Sequence, residues 1–459
     1  MRTPHILLAT AVALAASAVA PVPAGAAARA TAVPTPGAYY VQSAVTGLNA
    51  ADAGGGAVEQ HNPRGNEDRQ QWTLRASGSG HLLENTDTPG SCLGRSGDQA
   101  AAVACTGPDA LWEITSAGAD QYTLKAPGTD RHLTVAAKPS GATYPARLTL
   151  GGSGALATWY LTPVTPATRP MPPASERTLD QVTFLTAHNA YANGVDGGFA
   201  PPFVNLFPNQ SRGIDRQLAD GVRGFMLDIH QTPDGAILCH TSCTLVSRPV
   251  ALWVDLQRIV DFLRAHPDQL ATVFLEDYVD PAVLRSELAR VSGLSDLLHR
   301  PDRTGVRQNG WPKVADLIAA DDRLLIFTDH SRAADQSAGL TRDTFGVMYQ
   351  SEWTVENHWS MGSGVGASDW SCYSRWYGPD TTLPLTRTEG AFKPLFVMNH
   401  FRDTTVSGTA GTDNTKLTDR ARRFCEPAAR KKPTFLAVDR YDLGNPQAAV
   451  DTLNTYVYP

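Results

Sequence analysis

VRGFMLDIH, residues 222–230, and ATVFLED, residues 271–277, are near-continuous apolar runs that stop on acidic or imidazole side chains. Strands of a parallel sheet read this way, because helices cover both faces and neither meets water. The same grammar recurs at TFLTAHN (183–189), AILCH (236–240), RLLIFTD (323–329), FGVMYQ (345–350), LFVMNHF (395–401) and TFLAVDR (434–440). Helical periodicity fills several of the intervals, as in RGIDRQLADG, VALWVDLQRIVDFLRAH, DPAVLRSELARV and PKVADLIAA. Eight such runs across 177–459 predict an α/β (β/α)8 TIM-like barrel. In that fold the pocket forms at the C-terminal strand ends. Those ends carry His188 and Asn189, Asp228 and His230, His240, Glu276 and Asp277, Asp329, Gln350, Asn399 and His400, and Asp439.

Residues 36–164 are written differently. Short alternating runs are broken by Gly, Asp, Asn and Pro, which predicts an all-β unit. Three segments of similar length align, each opening on an aromatic or apolar run and closing on Trp72, Trp112 or Trp159. This pattern resembles a ricin-type β-trefoil lectin domain, whose repeats close on Gln-x-Trp. Only Gln70–Trp72 keeps the full motif; Ala110 and Ala157 stand at the Gln position of the other two repeats. The family's sugar-binding Asp is absent after Cys92, and Asp52 is a loose candidate. The resemblance implies a possible carbohydrate partner; a packing or targeting module without sugar affinity is the other reading. The chain is thus expected to be multidomain, the all-β β-trefoil followed by the barrel. A Pro-rich stretch at 165–176 reads as a semi-rigid linker between them.

Residues 1–30 carry Arg2, an apolar run from Ile6 to Val22 and then small residues, the pattern of a signal peptide. A secreted, extracellular protein is therefore expected, with a membrane anchor as the other reading. Six cysteines in an exported chain favour disulfides. Proximity and domain order favour Cys92 with Cys105, Cys239 with Cys243 and Cys372 with Cys425, and thiolate metal binding is the rival reading for CHTSC at 239–243. A net charge of −6 without a basic block points away from nucleic acid. A monomer is expected.

Two histidines on neighbouring strands can divide the work of a displacement at phosphorus. One removes a proton from the nucleophile and the other supplies one to the leaving group. Positive charge must meet the phosphoryl oxygens. Asn189, Asp228 and Glu276 offer the hard oxygens that calcium takes. A zinc site of His188, His230 and His240 is the alternative.

LTAHNAYAN (185–193), DGVRGFMLDIH (220–230) and LCHTSC (238–243) resemble the X region of phosphatidylinositol-specific phospholipase C, in its X-domain-only form. The likeness continues through FLEDYVDP, GWPKVADLI, WTVENHW, FVMNHF and FLAVDRYDLG. It implies a phosphoric diester hydrolase acting on a phospholipid at a membrane surface, with an inositol cyclic phosphate as first product. It implies His188 as general base and His240 as general acid. It also implies a calcium site of Asn189, Asp228 and Glu276. Asp439 is expected to orient His188.

The chain departs from the family at Met226, where the animal enzymes have Glu, and at His230, where the calcium-independent enzymes have Arg. A thioether is a poor calcium ligand. His230 and Arg223 are therefore candidates to neutralise the phosphate, and Asn399 to bind the headgroup. A phosphodiesterase on another lipid headgroup and a carbohydrate-binding surface protein with an inactive barrel are the competing functions.

Overall fold

The computed structural model describes residues 33–118, 120–196, 208–239, 243, 250–330, 345–378 and 382–459. The expected signal peptide lies outside the described residues, and so does His240.

Between Gly37 and Pro163, twelve strands pair antiparallel into one closed unit. Trp72, Trp112 and Trp159 are fully buried in a shared core. Each indole N–H donates to a backbone carbonyl of its own repeat: Ala50 at 2.9 Å, Leu93 at 2.8 Å and Leu133 at 2.9 Å. A buried indole must satisfy that donor, and three equivalent bonds make the three-fold β-trefoil repeat physical. Cys92 and Cys105 form a disulfide within the second repeat.

The stretch expected to be a linker is strapped down instead. Arg169–Pro170 pairs antiparallel with Tyr456–Val457, and the Met171 N–H donates to the Thr455 carbonyl. The short strand Tyr456–Val457 supplies backbone partners, which proline-rich chain alone lacks.

The C-terminal region holds eight parallel strands: β1 (Phe184–Ala187), β2 (Gly224–Thr232), β3 (Ala271–Tyr278), β4 (Leu324–Thr328), β5 (Val347–Tyr349), β6 (Thr354–Glu356), β7 (Leu395–His400) and β8 (Phe435–Val438). Their order is β5-β4-β3-β2-β1-β8-β7-β6. No ladder joins β5 to β6, so a fully closed TIM barrel is not formed by backbone pairing. These two strands have three residues each and are separated only by the four-residue helix Gln350–Trp353, too little chain for a crossover that would set them side by side.

One expected barrel strand is also replaced. Gly235–Leu238 pairs antiparallel with β2 as a hairpin, outside the parallel series. Two residues separate Thr232 from Gly235, and the Thr232 hydroxyl closes the turn on the Gly235 carbonyl at 3.0 Å. A parallel return needs a dozen residues or more. The missing member of the eight is β6, from WTVENHW.

The segment leaving β1 is tied to the helices beneath it. Asp196 accepts from the Ile214 N–H at 2.8 Å and from Asn193 Nδ2 at 3.0 Å, and meets Arg258 at 2.6 Å. Beside it Asp255 is fully buried, and burial, then Asp196, pushes its carboxyl up to about 7 against the pull of Arg258. A carboxyl raised in the folded state favours folding below its unfolded value of about 4 and loses that contribution as pH rises through about 7. Asp255→Asn is therefore expected to raise the melting temperature at about pH 8 and to change it little at about pH 4. A variant that tracks the wild-type curve at both values contradicts the assignment.

Candidate active site

The C-terminal strand ends enclose a cavity of about 510 Å³. His188 and Asn189 reach it from β1, Met226 and Asp228 from β2, Glu276 from β3, Asp329 from β4, Glu356 from β6 and Asn399 from β7.

His188 follows β1, and its N–H still donates to the Val438 carbonyl at 3.1 Å, so the ladder to β8 sets where its side chain starts. Its Nδ1 lies 2.8 Å from Asp439 Oδ1. Asp439 is buried and accepts further from Asn209 Nδ2 at 3.0 Å and from the Thr405 hydroxyl. The imidazole lies flat on the Phe401 ring, with centroids 3.5 Å apart. Gln210 Nε2 bonds the carbonyls of both His188 and Val438, at 2.8 and 2.9 Å. With Nδ1 held by a carboxylate, Nε2 is the ring atom positioned to exchange a proton with a bound molecule.

Asn189 comes next with φ 44°, in the left-handed region that Asn tolerates better than most residues. Asp228 and Glu276 are direct register partners on β2 and β3 and face the same cavity. The Tyr278 hydroxyl donates to Glu276, and Tyr191 is raised well above its ordinary value by burial and by Asp228. Two neutral phenols thus border the carboxylate pair. These oxygens suit a hard cation; the Met226 thioether beside them does not.

The remaining sequence candidates fall elsewhere. Arg223 precedes β2, at the opposite end of the strands. It is bound to Gln269 and to the carbonyls of Leu218 and Val222, and lies over Phe262. A strand-start position cannot reach the far-end cavity, so Arg223 is not a phosphate contact. His230 does not line the cavity either: it stacks on Tyr278, and its ring lies within 4.8 Å of the Cys239 and Cys243 sulfurs. Those sulfurs form a disulfide, which excludes a thiolate metal site there. Since His188 Nδ1 is held by Asp439 and His230 is stacked on Tyr278 outside the cavity lining, the two do not converge on a zinc ion. Asn399 lines the cavity fully buried, donating to Glu356 Oε1 at 2.6 Å and to the Asn357 carbonyl at 3.1 Å. The Cys239 N–H donates to the Asp228 carbonyl at 3.3 Å, which brings the chain preceding His240 to the edge of the site. Cys372 and Cys425 form the third disulfide.

Sequence reading missed Asn209, Thr405, Glu356 and Arg375. Arg375 lines the cavity and pairs with Glu356 at 2.9 Å. It follows no strand, so a search of strand ends passes it by. Only WTVENHW pointed toward Glu356.

A carboxylate-held histidine and a cluster of acidic oxygens thus meet at the strand ends of a parallel α/β domain. Residues 175–362 match the PI-PLC X family model, described as PI-PLC X 1. A PI-PLC X domain-containing protein of Arabidopsis thaliana is 28% identical over 267 residues, 57% of this chain and 58% of that protein. An uncharacterized secreted protein of Arthroderma benhamiae is 24% identical, over 74% of this chain and 73% of the relative. Among solved structures, the Macrolepiota procera ricin B-like lectin in complex with lactose is 20% identical, covering 28% of this chain and 98% of its own, with a TM-score of 0.23. The designed three-fold symmetric ThreeFoil is 21% identical, covering 27% and 96%, with a TM-score of 0.24.

Proposed function

We propose that the chain is an exported phosphoric diester hydrolase that cleaves the headgroup phosphodiester of phosphatidylinositol or a closely similar phospholipid. The observation that carries this reading is His188, held from behind by Asp439, facing the same cavity as Asn189, Asp228 and Glu276.

In this reading His188 Nε2 takes the proton of the inositol 2-hydroxyl. The freed oxygen bonds to phosphorus, the bond to the diacylglycerol oxygen breaks, and His240 returns a proton to that oxygen. Asp439 stabilises the imidazolium formed in the first transfer. Asn189, Asp228 and Glu276 would hold calcium, which when bound supplies positive charge to the phosphoryl oxygens. Charge balance supports a cation: five carboxylates line the cavity (Asp228, Glu276, Asp329, Glu356, Asp403) against two arginines, Arg375 and Arg402.

The surface around the mouth supports a lipid substrate. The exposed large hydrophobic side chains among the described residues are Val195, Tyr278, Trp359, Val365 and Leu443. Two of them border the site: Trp359 lines the cavity, and the Tyr278 hydroxyl donates to Glu276. Trp359→Ala is expected to weaken sedimentation with phosphatidylinositol-containing vesicles about fivefold to tenfold while sparing a short-chain soluble substrate, since interfacial Trp contributes through buried area. Equal losses on vesicles and soluble substrate contradict the lipid-facing role.

The direct test follows phosphatidylinositol and the purified protein by phosphorus NMR, with and without calcium. A cyclic phosphate resonance that appears before any monoester supports the proposal. Absence of headgroup release from phosphatidylinositol and from other phospholipids, with the protein folded, refutes it.

A further inference from the structure

The chain between β6 and β7, residues 357–394, contains no helix among its described residues, unlike the crossovers before β2, β3, β4 and β8. Here the β-trefoil takes the place of the covering helix. It grips this crossover on both sides of Arg375. On one side the Cys372 N–H donates to the Pro63 carbonyl at 3.0 Å, and Arg64 meets Asp369 at 3.4 Å. On the other side Tyr377 sets its hydroxyl against the Tyr144 backbone, and Gly47 packs on Pro384.

The intervening residues are fixed one by one. Arg420, fully buried, donates to the carbonyls of Ser371 and Asn399, Cys372 is bonded to Cys425, and the His358 N–H donates to the Tyr373 carbonyl. The Arg375 N–H and guanidinium then both bond Glu356, at 3.0 and 2.9 Å. A continuous run of paired groups therefore leads from the trefoil to the one cavity-lining cation that sits on this crossover.

The trefoil's own gripping loop is braced from inside. Gln70, fully buried, donates to the Asn62 carbonyl and to Glu67, and accepts from the Arg64 N–H. At the equivalent positions of the other repeats Ala110 and Ala157 offer no such bonds. The Gln is kept in the repeat whose loop docks through Pro63 and Arg64. That loop also leaves no slack: a Cβ on Gly65 would stand 1.8 Å from the Arg423 carbonyl oxygen.

We infer that the trefoil acts as a positioning element for the catalytic domain, holding Arg375 in the cavity as the protein's own cation for a phosphate group. The inference rests on the proposed function only for the identity of the substrate; the anion and the coupling are properties of this chain. Arg375 acts at the site, whereas Gly65 and Gln70 act through it.

The test is a double-mutant cycle between the docking loop and Arg375, read in turnover of phosphatidylinositol and in calorimetric binding of inorganic phosphate. Gly65→Ala in the full chain is expected to lower both about tenfold, chiefly through KM, and to add less than about twofold in the Arg375→Ala background, as coupled groups do. Equal losses in both backgrounds, or no loss from Gly65→Ala once limited proteolysis shows the docking loop released, overturn the inference. Gln70→Ala, which copies the residue of the sister repeats, serves if Gly65→Ala does not fold, with the same expectations. Should the wild type turn over no phospholipid, a phosphate affinity that depends non-additively on Gly65 and Arg375 upholds the coupling and removes only the proposed substrate. Phosphate binding that ignores Arg375 overturns it.

Discussion

His188→Ala is expected to lower phospholipid cleavage by about 10²–10⁴-fold, the range that a positioned acid–base group contributes. The geometry leaves little room for a substitute. Nδ1 is committed to Asp439, the ring is pressed on Phe401, and Asn209 and Thr405 occupy the other acceptor positions of the same carboxylate. No other described histidine lines the cavity. His400, on the neighbouring β7, is fully buried, donates toward the Asp413 carbonyl and is pushed down to about 3 by burial and by Arg420. Its Nε2 is engaged by the Asp413 carbonyl and its Nδ1 faces Arg420, so it cannot replace the base. Asp439→Asn should cost less than His188→Ala, because the imidazole remains but its orientation and tautomer are no longer imposed. Initial rates on phosphatidylinositol micelles decide the point. If His188→Ala keeps more than about a tenth of wild-type turnover, His188 is not the base.

Chelation of calcium is expected to reduce turnover by about 10²–10³-fold, the scale of losing one main stabiliser of transition-state charge. The reason is the surplus of carboxylates around Asp228 and Glu276, which repels a phosphodiester until a cation offsets it. Asp228→Asn should raise the calcium concentration for half-maximal activity by about tenfold or more, since ligand charge sets affinity in oxygen sites. Calcium should also raise the melting temperature of the wild type more than that of Asp228→Asn, a readout independent of turnover. Full activity in chelator, with no thermal shift on adding calcium, rules the ion out and leaves the phosphate to the protein's own cations, Arg375 first among them.

Much of this site was legible along the chain because parallel strands end where their apolar runs end. His188, Asn189, Asp228, Glu276 and Asn399 each close such a run, and each reaches the cavity. Asp439 closes another and meets His188 from behind. His230 closes a run as well, yet does not line the cavity. His230 shares the face of Asp228 but lies two residues further along β2, where its register partner on β3 is Tyr278, and it stacks on that ring instead of lining the cavity. The hairpin to Gly235–Leu238 could have been read from Thr-Pro-Asp-Gly at 232–235, a turn that forbids a parallel return. Asn209, Thr405 and Arg375 had no such signal, because loops carry no periodicity.

The sequence by itself determined the three buried tryptophans of the trefoil, the parallel strands and the polar residues at their ends. Each of these follows from local patterns that water imposes on a chain. Only the tertiary structure decided that the eight strands leave β5 and β6 unpaired, that the supposed linker pairs with Tyr456–Val457, and that the trefoil grips the crossover bearing Arg375. These rest on contacts between residues hundreds of positions apart, as when Gln42 donates to the Ala428 carbonyl at 2.7 Å. A backbone carbonyl looks the same whatever the side chain, so its distant partner leaves no mark on the sequence.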